Sequence, residues 1–216
     1  MKVKSFLLFF TFSALFTFSV IATGSATVVT FDELSETGSG GWIASQYQGL
    51  NWSNILCNNA ILWTNIDALY YSHLTNGLTG DYYGMVSESN VAEVVADAEI
   101  DSPGTSFNFL SAYLTGYFNS NLNIEVKGFK GVTLLYDQTV IASAATPIQF
   151  AFDYLDIDRL TFTSFGGQPA FRSDLNFAGE FVMDNFAFEL IPEPSSLLLT
   201  FAGALLLWPL LKHKRA

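Results

Sequence analysis

Residues Asn121 to Lys127 alternate strictly between apolar and polar. Leu122, Ile124 and Val126 fall on one face, with Asn121, Asn123, Glu125 and Lys127 on the other. A period of two marks a β-strand with one buried side. Gly128 to Gly131 then predicts a hairpin turn, after which Val132, Leu134 and Tyr136 continue the inward face on the next strand. Further strands are predicted over 27–31, 61–63, 84–88, 106–115, 148–152, 157–163 and 180–190, punctuated by Gly, Asn, Ser and Asp clusters. Val91 to Ile100 suits either a short helix or a strand. No amphipathic helix is legible between Thr27 and Leu190. The expectation is an all-β, jelly-roll-like β-sandwich of about eight to ten strands. It forms one domain over residues 27–190, between an N-terminal signal peptide and a C-terminal single transmembrane helix.

Composition bounds the function. The chain has 216 residues, of which 50% are hydrophobic and 13% charged. Soluble domains average about 25% charged residues, so the low figure excludes a disordered chain and points to membrane-directed sequence. The net charge is −11, with only nine Lys and Arg, too few for a nucleic-acid surface. Lys2 and Lys4 open the chain, and Lys212, Lys214 and Arg215 close it. Only Lys127, Lys130, Arg159 and Arg172 lie between Thr27 and Ile191, where 19 of the 20 Asp and Glu are found. Such an acidic body stays soluble and could be bridged to acidic polysaccharide by divalent cations. Cys57 is the one cysteine, so no intrachain disulfide forms, and it reads as a small buried apolar residue.

Both ends read as addresses. Lys2 and Lys4 precede an apolar run from Ser5 to Ile21 and the small residues Ala22-Thr23-Gly24-Ser25-Ala26. This is the layout of a secretory signal peptide over residues 1–26, cut by signal peptidase after Ala26 or after Gly24. At the other end Leu197 to Leu211 carries no charge and eight leucines, each worth roughly −0.5 kcal/mol on insertion. With Ser195 and Ser196 the run over 195–211 just reaches across a bilayer core of about 30 Å. The basic cluster Lys212, Lys214 and Arg215 would hold its end in the cytoplasm. An ordinary single-pass anchor is the alternative.

The segment 191–216 resembles the PEP-CTERM sorting signal of Gram-negative bacteria. The matching parts are Pro192-Glu193-Pro194, the apolar helix over 195–211, and the basic tail over 212–215. The resemblance implies recognition by exosortase, a membrane protease-transpeptidase, with cleavage near the motif. The body would reach the cell surface or extracellular matrix of a cell that makes exopolysaccharide. Two prolines disfavour helix just before the span, leaving the tripeptide extended and accessible. The body itself resembles carbohydrate-binding-module and lectin jelly rolls in the stretches Val29-Thr-Phe-Asp-Glu-Leu34, Tyr47-Gln-Gly-Leu-Asn-Trp-Ser-Asn54 and Phe181-Val-Met-Asp-Asn-Phe186.

Three sets of residues are candidates for chemistry. Asp184 shares the parity of Val182, Phe186 and Phe188, so its carboxylate points partly inward and needs a partner. Asp32 and Glu33, on a first strand expected beside the last, could join it around a structural Ca²⁺, which takes six to eight oxygens; exposed or Arg-paired carboxylates are the alternative. Tyr47, Trp52 and Trp63, among interleaved asparagines, could stack on and hydrogen-bond sugars, or could simply be core. Asp153-Tyr-Leu-Asp-Ile-Asp158 could supply the carboxylate pair of a glycoside hydrolase, or a solvated turn. No Gly-x-Ser-x-Gly, His-Glu-x-x-His or phosphate-cradling loop occurs. The sequence therefore points to an exported, exosortase-processed, non-enzymatic protein that binds or associates with exopolysaccharide. A purely structural matrix protein and a polysaccharide-active hydrolase are the alternatives.

Overall fold

The computed structural model describes residues 24–34, 41–62, 80–170 and 179–192. The signal-peptide run, Trp63, and the tail from Glu193 through the apolar helix to Lys212, Lys214 and Arg215 lie outside the described residues. Among those described, no helix is long and apolar enough to cross a membrane.

The described chain is all-β. Its strands are β1 (Thr27–Val29), β2 (Gly41–Trp42), β3 (Asn51–Asn59), β4 (Asn90–Asp101), β5 (Ser106–Gly116), β6 (Asn119–Lys130), β7 (Thr133–Ala142), β8 (Ile148–Ile157), β9 (Arg159–Pro169) and β10 (Phe181–Ile191), with a short helix, α1 (Gly80–Gly84), before β4. They form a single hydrogen-bonded network whose main path runs β7-β6-β9-β4-β10-β5-β8. Burial follows position along that path. Phe181, Val182, Met183 and Asp184 of β10 are buried in succession, as expected of a central strand covered on both faces. In β7, at one end, only Val140 and Ala142 are buried.

The path bends at β4. One edge of β4 pairs with β3 from Asn90 to Asp101. The other edge pairs first with β10, through Ala92, Glu93 and Val94, and then with β9 from Ala98 onward. β4 therefore passes from one half of the network to the other. The first strand pairs with the last, Val29 lying opposite Phe186. The two ends of the path meet through side chains: Tyr136 of β7 stacks on Tyr154 of β8 at 4.6 Å and 9°, and Tyr154 Oη donates to the Val126 carbonyl of β6 at 3.0 Å. The core is aromatic. Phe109 lies between Phe152, at 4.7 Å, and Phe186, at 4.8 Å. Each fully buried Phe contributes about 1.5–3 kcal/mol of transfer free energy.

Several local expectations are corrected. β6 runs straight through Gly128 to Lys130, and the turn falls at Gly131, with φ of 57°. Gly128 serves packing: a Cβ there would lie 2.9 Å from the Tyr154 ring and 3.2 Å from Tyr136. Val132 is 97% exposed and Leu134 46%, so the inward face expected of them on β7 is absent. Residues 60–62 are helical, where a strand was expected from 61. Residues 80–84 form α1 and 86–89 are bends, where a strand was expected over 84–88. Val91 to Ile100 takes the strand alternative as part of β4.

Candidate functional site

Asp32, in the turn after β1, and Asp184, on β10, meet over one loop. Asp184 is buried, and its Oδ2 accepts the backbone N–H of Val86 at 2.7 Å and of Ser87 at 2.9 Å. Its Oδ1 accepts the Ser87 hydroxyl at 3.0 Å and the Asn185 N–H at 2.6 Å. Asp32 accepts the N–H of Glu88 at 3.2 Å and of Asn90 at 3.0 Å. Burial pushes the Asp184 carboxyl above the usual carboxylate range, against the pull of the Ser87, Val86 and Asn185 donors. Asp32 is also raised by burial, but the N–H groups of Asn90 and Glu88 and the Ser87 and Thr30 hydroxyls outweigh this and hold it low.

Each of these oxygens thus accepts at least one N–H or O–H donor, the partner a buried carboxylate needs. Glu33 turns away: its Oε1 accepts the Tyr47 hydroxyl at 2.5 Å and Gln48 Nε2 at 2.9 Å. Among the described residues, no group of three or more His, Cys, Asp or Glu side chains is placed to hold a metal ion. The geometry brings Asp32 and Asp184 to the same loop, Val86 to Asn90, as anchors for its backbone.

The sugar-stacking expectation is corrected at Trp52. It is 7% exposed, with Nε1 donating to the Tyr47 carbonyl at 3.0 Å. Its ring meets Phe31 edge-on at 5.7 Å and Phe186 at 5.3 Å. Trp52 is a core residue whose one polar atom is satisfied, and Tyr47 is half-buried beside it. Phe31, at the centre of this corner, is fully buried with φ of 65°, a rare conformation for a bulky residue. Among the described residues the exposed tryptophan is Trp42, at 63%. Its place directly after the glycine-rich Gly38-Ser-Gly-Gly41 was the sequence signal for a surface position. Cys57 is half-buried and free, and burial, then the Asp32 carboxylate, push its thiol up to about 12. Sequence reading also missed a buried polar group in which Asn58 Nδ2 donates to Asp81 and to Glu93.

A second place is an open groove of about 800 Å³ where the β4–β5 turn, the β6–β7 turn and the β8–β9 junction meet the end of β10. Arg159 Nη1 donates to Glu99 Oε2 at 3.2 Å, with its guanidinium 4.0 Å over the Phe129 ring. Lys130 Nζ donates to Asp156 Oδ1 at 2.7 Å and also to Ser106 Oγ. Asp158 accepts Gly131 N–H at 2.8 Å, and Asp101 accepts Asn51 Nδ2 at 3.0 Å. Ile191 and Pro192 complete the wall.

The acidic run of the sequence thus ends in this groove, but as strand and bulge. Asp153 and Asp156 of β8 have φ of 51° and 54°, where Asp is tolerated better than most residues. Lys130, beside Asp156, holds that carboxyl below the usual range.

No protein-family model matches the chain, and no curated protein is significantly similar to it. Among solved structures the chain is similar to TmCBM61, a carbohydrate-binding module in complex with β-1,4-galactotriose. That match has 9% identity over 69% of this chain and 92% of the module, with a TM-score of 0.32. It is also similar to the K2 cleaved adhesin domain of Lys-gingipain, with 12% identity, 76% and 99% coverage and a TM-score of 0.39. A Ruminococcus gnavus GH29 fucosidase in complex with fucose is similar at 12% identity and a TM-score of 0.28, over 69% of this chain and 27% of the fucosidase. At these scores the likeness adds nothing to what the strands themselves establish.

Proposed function

We propose that this chain is an exported surface or matrix protein, cut by signal peptidase at one end and by exosortase near Pro192–Pro194 at the other. Its β-body then associates with exopolysaccharide without catalysing a reaction. The observation that carries the reading is where the body ends. β10 is paired on both edges, with β5 on one side and with β1 and β4 on the other. It closes at Ile191, and the next residue, Pro192, is exposed. Every described strand therefore precedes the Pro-Glu-Pro tripeptide, and loss of the tail would remove none of their pairings.

The test is to replace Pro192, Glu193 and Pro194 together by alanine in a host that has exosortase and makes exopolysaccharide. The wild-type chain should be recovered outside the cell, co-sedimenting with the polysaccharide, and the substituted chain should stay in the inner membrane. Equal release of the two chains would contradict the reading.

A further inference from the structure

The groove at the base of β10 is built of groups that suit one ligand chemistry. Four carboxylates, Glu99, Asp101, Asp156 and Asp158, face two cations, Lys130 and Arg159. Each cation is already paired, Arg159 to Glu99 and Lys130 to Asp156. The charges are therefore held in place before a ligand arrives. The Glu99–Arg159 and Lys130–Asp156 bonds each use one carboxylate oxygen. The Asn51 bond uses only Oδ2 of Asp101. Among the described residues, Glu99 Oε1 and Asp101 Oδ1 accept no hydrogen bond and remain available to a ligand, while Asp156 is also engaged by the Ser106 hydroxyl. The Ser102 and Thr105 hydroxyls, 2.6 Å apart, add groups that can donate or accept.

The backbone around these side chains is fixed. Ser102 N–H donates to the Asp158 carbonyl at 2.9 Å and Asp158 N–H to the Phe129 carbonyl at 2.9 Å, while Asp156 N–H donates to Asn108 Oδ1 at 2.9 Å. The wall therefore offers preformed acceptors beside preformed donors, in a volume typical of small-molecule sites.

We propose that this groove is a binding site for the hydroxyl groups of a neutral saccharide. Each sugar hydroxyl both donates and accepts, so it can give its proton to a free carboxylate oxygen while accepting from Arg159 or Lys130. Charge-assisted hydrogen bonds of this kind are stronger than neutral ones. The excess of carboxylates over cations repels uronates and other anionic sugars. Among the described residues no aromatic side chain lines the groove, so recognition comes from hydrogen bonds and not from ring stacking, and affinity is modest. The proposal rests on the reading that the body meets polysaccharide, and it assigns that contact to these residues.

The experiment uses the full ¹⁵N-labelled chain in zwitterionic detergent micelles, titrated separately with maltotriose, xylotriose and trigalacturonate. At least one neutral trisaccharide should shift the amides of 102–106, 130–131 and 156–159, and trigalacturonate should not. Glu99→Gln and Asp101→Asn, both near-isosteric, should each weaken binding about ten-fold, the low end of what one hydrogen bond to a charged group is worth. The dispersion of the remaining amides reports that each variant is folded.

The proposal is overturned if neither neutral sugar shifts these amides up to about 10 mM, a limit of weak affinity. It is also overturned if the shifts centre on Trp42, if trigalacturonate binds as well as the neutral sugars, or if both variants bind as the wild type does. Its failure is separable from that of the broader reading. A Glu99→Gln, Asp101→Asn double variant that still co-sediments with native polysaccharide removes the groove and leaves association standing. A wild-type chain that binds xylotriose in the groove but not the polysaccharide does the reverse.

Discussion

Replacing Asp184 by alanine should be among the most damaging single changes in the body, although the residue is acidic and lies in an apolar strand. The carboxylate accepts three backbone N–H groups, from Val86, Ser87 and Asn185, and the Ser87 hydroxyl. Removing it strands three part-buried N–H donors, each costing about 1–3 kcal/mol when left unmade. Against this, the variant no longer buries a carboxylate, a cost evident in the upward displacement of the Asp184 pKa. The expected net loss is about 4 kcal/mol, a large part of the roughly 5–15 kcal/mol that holds a typical domain. Urea denaturation followed by tryptophan fluorescence should show a lower midpoint with an unchanged slope.

Asp184→Asn should fall between alanine and wild type, because its amide oxygen can keep the Oδ2 bonds while its NH2 meets the Asn185 N–H. A loss below about 1 kcal/mol for Asp184→Ala, within the usual range of surface substitutions, would refute the view that this carboxylate anchors the loop.

Trp52→Ala should cost about 3–5 kcal/mol as a core truncation while leaving the sugar affinity of the folded fraction unchanged, as calorimetry would read. Asp32 has its folded pKa below the ordinary aspartate value of 3.8. Its contribution is therefore complete above that value and is lost as pH falls through the lower folded pKa. The stability advantage of wild type over Asp32→Asn, measured by urea titration from pH 7 to pH 3, should hold down to about pH 5 and then shrink. An advantage that grows on acidification would reverse the sign. Ca²⁺ or a chelator at about 1 mM, near the weakest range of natural calcium sites, should leave the melting temperature unmoved, since N–H donors occupy the Asp32 and Asp184 oxygens.

Strand type was legible where one face is buried, as in β6, whose Leu122, Ile124 and Val126 are fully buried. Legibility failed where a residue answers to a distant partner. Gly128 has turn chemistry, yet it is kept small by the stacked Tyr136 and Tyr154 rings. Asn54, Asn121, Asp153, Asp156 and Asn185 are of types that favour turns, but their positive φ values fall within strands, most beside register shifts that bend the ladders. Asp184 was readable as an inward carboxylate from parity alone. Its donors, almost a hundred residues earlier, were not. The groove escaped notice because Glu99, Lys130 and Arg159 meet only when β4, β6 and β9 align. Trp52 looked like a ligand-facing aromatic because spacing alone does not distinguish a corner packed on Phe31 from one open to solvent.

The account depends most on the body being complete at Ile191 and the tail being disposable, and intact-mass measurement of the protein recovered outside the cell tests this directly. The predicted mass corresponds to a chain that begins after Ala26, or after Gly24, and ends near Pro192–Pro194. Extracellular material that still carries Lys212, Lys214 and Arg215 would contradict it.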